Sequence, residues 1–257
     1  MPVTLPARVA VPEGAGHESF RVRIGEAGAD GTLTMHGVVS WMQEAANHHA
    51  ESLGVGFQWT RDNGIVWVQA RIRVRMNRFP AEGERVAVHT WPSGLDRRRA
   101  YRDFVFVDRD GAGELIGAAT SAWALIDRDS RRPVTVTETA RESIPILEPR
   151  VLGFDDAGVR PLEAVDGARP VLPRPSDLDF QGHVNGARLT AWMLDAAHGF
   201  EDRHAHPGEL RVDFRSECLI GQSFETRIGP REDGRRRVVL LRGDGVEAVR
   251  AEGIWGA

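Results

Sequence analysis

Residues 177–186 read DLDFQGHVNG. These ten positions hold two carboxylates (Asp177, Asp179), one histidine (His183), two amides (Gln181, Asn185) and two glycines (Gly182, Gly186). Carboxylates and imidazoles are the side chains that most often manage protons in catalysis near neutral pH. The run LTAWMLDAA that follows has the spacing of a helix, so the polar segment lies at a helix start. A helix start exposes backbone N–H groups with no internal acceptor, which can hold a developing oxyanion. Gly182 and Gly186 let the backbone approach a ligand closely, since glycine has no Cβ. The segment therefore carries the parts for acid–base work on a carbonyl group.

The rest of the chain excludes several alternatives. Cys218 is the only cysteine, so an internal disulfide and a multi-cysteine metal site are both ruled out. His48 and His49 lack further ligands at metal spacing, and no metal or other cofactor is expected. Of 257 residues, 41% are hydrophobic and 27% charged, the balance of a soluble globular chain. A formal charge of -4 argues against a nucleic-acid partner. No apolar run is long enough to span a membrane, and the N-terminal residues carry no export signal. With one cysteine, these features lead us to expect a cytoplasmic protein. All 33 cationic side chains are arginine, so no single arginine stands out by type.

The elements that must position the polar segment occur twice. A helical pattern over 32–54, with Val38, Met42, Ala45, Ala46 and Leu53 in phase and Gly54 as a stop, follows the short extended stretch FRVRIGEAG. Strand-like runs at 65–76, 85–91, 100–109 and 114–128 come next, separated by turn signals too short for crossover helices. The second half repeats this order: an extended piece at 168–175, a helix at 186–200, then ELRVDFRSECLIG, QSFETRI, RRRVVLLRG and VEAVRAEGIWG. Sliding the chain by 151 residues lays Trp41-Met42 on Trp192-Met193, and a shift of 138 lays Arg73-Val74 on Arg211-Val212. We expect an α+β tandem (double) hotdog, each unit a long helix wrapped by an antiparallel sheet. The expected organisation is a loose arm (1–17), a first unit (18–140), a linker (141–158) and a second unit (159–257). Such a chain pairs its two units internally, acting as a monomer or as a homodimer of such chains. The shift of 151 sets Gly28, Asp30 and Thr32 opposite Asp179, Gln181 and His183. Only the second copy carries the polar set, which points to one site per chain.

DLDFQGHVNG before a Trp-containing helix resembles the D-x-N-x-H-V-N-N segment of the acyl-acyl carrier protein (acyl-ACP) thioesterases. RSECLIGQSFETRI resembles that family's E-C pair. GVGFQWTRDNGIVWVQARIRVRMNRFP, EGERVAVHTWP and ATSAWALIDRDSRRP follow its N-terminal hotdog. The resemblance implies hydrolysis of fatty acyl-ACP to free fatty acid and carrier protein, with no cofactor. It assigns the first unit to acyl-chain binding and the second to catalysis. The family's Asp, His, Glu and Cys fall on Asp179, His183, Glu217 and Cys218. Its first Asn is Gln181 here, and of its N-N pair the first is kept as Asn185 and the second is Gly186.

On this resemblance Glu217 is the expected base for water. Asp179 is either an orienting partner or a nucleophile, with its carboxylate close to that of Glu217. His183 and Gln181 position the carbonyl or the water, and Asn185 and Gly186 bind substrate. Cys218 should face away from Glu217 on an alternating strand and pack. Trp41, Met42, Phe57 and Trp67 are candidate walls for the acyl chain. Arg71, Arg73, Arg98, Arg99 and Arg102 are a candidate landing patch for an acidic carrier protein. Three rival readings remain open at this level: a coenzyme A thioesterase, a hydratase of the same fold, and an acyl-binding protein without turnover.

Overall fold

The computed structural model describes residues 5–6, 8–111, 113–136, 138–154, 157–198 and 206–255. Ten strands form one antiparallel sheet: β1 (Gly16–Arg21), β2 (Ile65–Met76), β3 (Arg85–Leu95), β4 (Arg99–Asp108), β5 (Leu115–Asp127), β6 (Gly167–Val171), β7 (Glu209–Phe214), β8 (Phe224–Glu232), β9 (Arg235–Arg242) and β10 (Glu247–Ile254). Their order across the sheet is β1-β3-β4-β5-β2-β7-β10-β9-β8-β6. Among the described residues four α-helices accompany them: α1 (Met35–Ser52), α2 (Phe57–Asp62), α3 (Glu138–Ser143) and α4 (Gly186–His198).

The long helices form where capping and periodicity coincide. Thr34 caps α1 by accepting the Gly37 amide at 3.2 Å, and α1 buries Val38, Met42, Ala45 and Ala46 along one stripe. It ends at Gly54, whose φ of +70° suits glycine. On the sheet, alternate residues turn inward: Ile72 and Val74, Val86 and Val88, Phe104 and Phe106, Leu210 and Val212, all buried with the two helices in one core.

The duplication holds at the level of single hydrogen bonds. The bridges Ala27↔Leu33 and Leu178↔Val184 lie 151 residues apart, and Thr32↔Ala81 recurs as His183↔Leu219. Where β2 pairs with β7, Arg73 stands directly opposite Arg211, its own counterpart, so the pseudo-twofold axis passes between them. The expected double hotdog is what forms, with both units in one continuous sheet.

Three details differ from the sequence expectation. β1 begins at Gly16 and ends at Arg21, earlier than the stretch 20–28, because Glu26 turns back to cap the α1 entry by accepting the Thr34 amide through its carbonyl. α2 was not anticipated; six residues are too few to show a period. β7 stops at Phe214, so Glu217 and Cys218 lie beyond the strand. There the amides of Arg215 and Ser216 both turn to the Ala248 carbonyl and lead the chain off the sheet toward His183.

The connecting segment and the N-terminal arm lie on the outer face of the first unit's sheet. Leu147, Val151 and Leu152 pack with Trp91, Val105 and Ala118, and Leu5 of the arm is buried in the same cluster. The Val151 amide donates to Asp103 at 2.7 Å, and the Thr120 hydroxyl lies within hydrogen-bond distance of both Asp103 Oδ1 and the Leu152 carbonyl. Burial pushes the Asp103 carboxyl up to about 6 from its ordinary 3.8, against hydrogen bonds from Thr120 and Val151 that favour the charged form. The folded chain therefore holds this proton more tightly than the unfolded one. Asp103 adds stability below about pH 4, and that contribution is lost as pH rises through about 6. Urea unfolding of wild type and Asp103→Asn from pH 4 to 7 tests this. The wild type should lose stability relative to the variant across that window, and a constant difference would refute the assignment.

Candidate active site

The polar segment is a tight hairpin in front of α4. Asp179 donates its amide to the His183 carbonyl at 2.8 Å, and Gly182 at φ +83° closes the turn onto the Asp179 carbonyl. The Asp179 side chain works inside this turn. Its Oδ1 accepts the amides of Gln181 (2.9 Å) and His183 (3.1 Å). Asn185 caps α4: its Oδ1 accepts the Ala187 amide at 2.7 Å, and its carbonyl accepts Leu189 at 2.9 Å. The Val184 amide bonds the Cys218 carbonyl at 2.8 Å, which staples the hairpin to the segment carrying Glu217.

That staple places His183 against Glu217. His183 Nε2 lies 2.9 Å from Glu217 Oε2, and Arg131 Nη2 lies 3.0 Å from the same oxygen. Both contacts fall on Oε2; among the described residues no protein group bonds Oε1. The cluster is half-open, with side-chain exposures of 20% for His183 and 39% for Glu217. Asp179 and Glu217 do not contact each other, so the expected pair of close carboxylates does not form: one caps a turn and the other faces two basic side chains.

Sequence reasoning missed Arg131, which comes from the first unit, in the loop after β5. It has a φ of +58°, a backbone region that non-glycine residues enter only at a cost and that often marks functional sites. Nothing in its local sequence distinguishes it from the other arginines.

The cluster sits at the mouth of a cavity of about 690 Å³, within the range of ligand sites. Asp179, Gln181, His183, Asn185, Gly186 and Glu217 all border it. Gln181 is exposed, and its side chain has no partner among the described residues. Gly186 has room for no Cβ without crowding the Gln43 amide, 2.9 Å away, or that of Gln69 at 3.4 Å. Trp67 and Phe57 are on the wall, and Phe57 meets the exposed Phe180 edge-on, with ring centroids 5.0 Å apart. Trp41 and Met42 are not on the wall. Trp41 is in the core, its indole donating to Glu26 at 3.1 Å and stacked on Phe20, because its phase on α1 turns it toward β1. Cys218 is buried, and burial pushes its thiol up to about 12, which leaves it protonated at neutral pH.

The arginine patch also does not form as expected. Arg71 and Arg73 lie on the outer face in ion pairs with Asp213 and Glu209, at 3.2 and 2.9 Å. Arg102 turns to the opposite face and is buried.

Fold and site together define a double hotdog protein with one polar cluster, at the junction of its two units and at the mouth of an apolar cavity. The chain belongs to the acyl-ACP thioesterase family: that family's N-terminal domain matches residues 15–144 and its C-terminal domain residues 164–257. It is 32% identical over 277 residues to the oleoyl-acyl carrier protein thioesterase 1, chloroplastic, of Arabidopsis thaliana, covering 93% of this chain and 75% of that one. Three plant relatives are longer; the chain spans 68%, 60% and 75% of their lengths. The 12:0-ACP thioesterase from Umbellularia californica superposes with a TM-score of 0.80 at 25% identity, over 96% of this chain and 99% of that one. An acyl-ACP thioesterase from Bacteroides thetaiotaomicron shares the fold, with a TM-score of 0.84 at 21% identity over 95% and 98% of the two chains.

Asn185→Ala removes the α4 cap and should cost roughly 1 kcal/mol in chemical denaturation, whereas Asn185→Asp should retain most of it. Equal losses in both variants would mean that the cap is not what Asn185 supplies.

Proposed function

We propose that the protein hydrolyses fatty acyl-ACP to free fatty acid and holo-carrier protein. The observation that carries this reading is the Glu217 carboxylate. His183 and Arg131 fix its Oε2, no protein group among the described residues bonds its Oε1, and Glu217 and Gly186 at the start of α4 border the same cavity. In the proposed reaction, Oε1 takes a proton from water as the water oxygen attacks the thioester carbon. The carbonyl oxygen gains charge at the α4 N-terminus. There the Gly186 amide is one of those that a helix leaves without an internal acceptor. The C–S bond then breaks, and the carrier thiolate takes a proton, which Glu217 has just acquired. Atoms balance as one water consumed, one acid and one thiol released.

The remaining roles follow from their bonds. His183 and Arg131 hold Glu217 in register through their contacts with its Oε2. Asp179 shapes the hairpin that presents His183. Its engagement with two amides supports an orienting role over that of a nucleophile. Gln181 is exposed at the border of the cavity, and its amide is assigned to substrate contact. Arg131 and Arg215 border the opening, which suits the approach of an acidic carrier. We extend the reading to a cytoplasmic chain active as a monomer, supported by its single cysteine and by the internal pairing of its two units.

The test is thiol release from acyl-ACP and acyl-CoA substrates of 8 to 18 carbons. Glu217→Gln should lower kcat by roughly 10²–10⁴. Asp179→Asn keeps an oxygen for both amides and should lose far less, whereas a nucleophilic Asp179 would leave both variants equally inactive. Arg131→Ala should reduce kcat with KM little changed. An absence of thiol release by the wild type from any carrier would end the hydrolase reading. Faster release from coenzyme A than from the carrier protein would shift the substrate assignment.

A further inference from the structure

Arg102 presents a charge that the proposed mechanism does not use. It lies on β4 with its side chain turned toward the helices, while its neighbour Asp103 faces the other side of the sheet. The residue is only 8% exposed. Its Nη1 lies 2.8 Å from His49 Nδ1 and 3.3 Å from Thr90 Oγ1. Neither partner is an anion. Burial, helped by the Arg102 charge, holds the His49 imidazole down to about 4, so His49 is neutral and accepts. Burial also lowers Arg102 to about 10, which still leaves it charged at neutral pH. Among the described residues no carboxylate lies within ion-pair distance of it.

Among the described residues no protein group bonds Nε or Nη2 of Arg102, yet neither is among the sealed polar atoms. The residue is part of the wall of the large cavity, so that cavity is the space these two groups reach. The same cavity is lined by Ala46, Ala50, Val55 and Trp67, with the neutral polar side chains of Asn47, Thr60 and Tyr101 among them. A buried cation without a counter-charge is costly unless something satisfies it. A plain alkyl chain laid over Arg102 would expel its water and return no hydrogen bond. An oxygen on the chain would replace that water with a charge-assisted bond.

The position fixes where such an oxygen must be. Arg102 stands opposite Ser121 and Ser121 opposite Ile72, three residues along β2 from Gln69, which touches the start of α4. Two strand spacings of about 4.8 Å and three steps of about 3.3 Å set the backbone sites roughly 14 Å apart. With C–C bonds near 1.5 Å, a zigzag chain covers that distance in about eleven carbons. We propose that Arg102 selects acyl chains bearing a hydrogen-bond-accepting oxygen, a hydroxyl or a carboxylate, about ten to twelve carbons from the thioester. The inference rests on the acyl-thioester reading of the same site and names the substrate class within it.

The experiment compares kcat/KM for dodecanoyl-, 12-hydroxydodecanoyl- and 11-carboxyundecanoyl-ACP. The wild type should prefer at least one oxygenated chain by about tenfold or more; a larger gain for the carboxylate than for the hydroxyl would identify the anion as the better occupant. Arg102→Met should abolish that preference and raise activity on the plain chain, while Arg102→Lys, which keeps the charge, should retain part of it. A wild type that handles the plain chain as well as both others overturns the proposal, whatever the variants do. So does a preference that survives in Arg102→Met. If no substrate is hydrolysed, the hydrolase reading fails. Calorimetric binding of free dodecanoic against 12-hydroxydodecanoic acid then decides the Arg102 proposal independently: tighter binding of the hydroxy acid supports it, and equal binding overturns it.

Discussion

The antiparallel pairing of β2 with β7 is the contact on which the rest of the molecule depends. It joins two five-stranded sheets at their edges, and edges left open present unpaired N–H and C=O groups to any other strand. Ion pairs on the outer face, Arg71 with Asp213 and Arg73 with Glu209, run across this seam, and Ile72, Val74, Leu210 and Val212 fill it from below. The seam also sets the distance between the two units' side chains. Arg131, Gln69, Trp67 and Arg102 come from the first unit, and His183, Gly186 and Glu217 from the second. Neither unit alone holds the cavity together with its polar mouth.

Duplication gives two equivalent hairpins with the same backbone bonds and different chemistry. In the first copy, Asp30 accepts the amide and hydroxyl of Thr32, Thr34 caps α1, and Glu26 holds the Trp41 indole, so its polar groups are consumed in holding the helix start. In the second copy the turn is held by one carboxylate oxygen, Asp179 Oδ1, and His183 is left to face Glu217. The hairpin geometry is thus a scaffold property, and the chemistry lies in which side chains remain uncommitted once the turn is closed. The cavity shows the same division. It has a carboxylate held by basic groups, Glu217, and a guanidinium held by neutral ones, Arg102.

The sequence by itself determined the double hotdog, the location of the polar hairpin and the asymmetry between the copies. These follow from local period, capping and turn chemistry, which act over a few residues and repeat at fixed offsets. Asn185 as a helix cap and Gly182 as a turn residue are legible for the same reason. Glu217 was reached through resemblance, since an acidic residue after a strand is commonplace, and its pairing with His183 depends on a backbone bridge between segments more than thirty residues apart in the chain. Tertiary structure alone decided the rest. Arg131 enters the site from the other unit, Trp41 turns into the core, and Asp179 spends its oxygen on backbone amides away from Glu217. Of five arginines of one type, two pair across the seam and one is buried in the cavity wall. The physical reason is that a charge's role depends on what lies within a few ångströms of it, and strand register and face, set over 136 residues for Arg73 and Glu209, fix that neighbourhood.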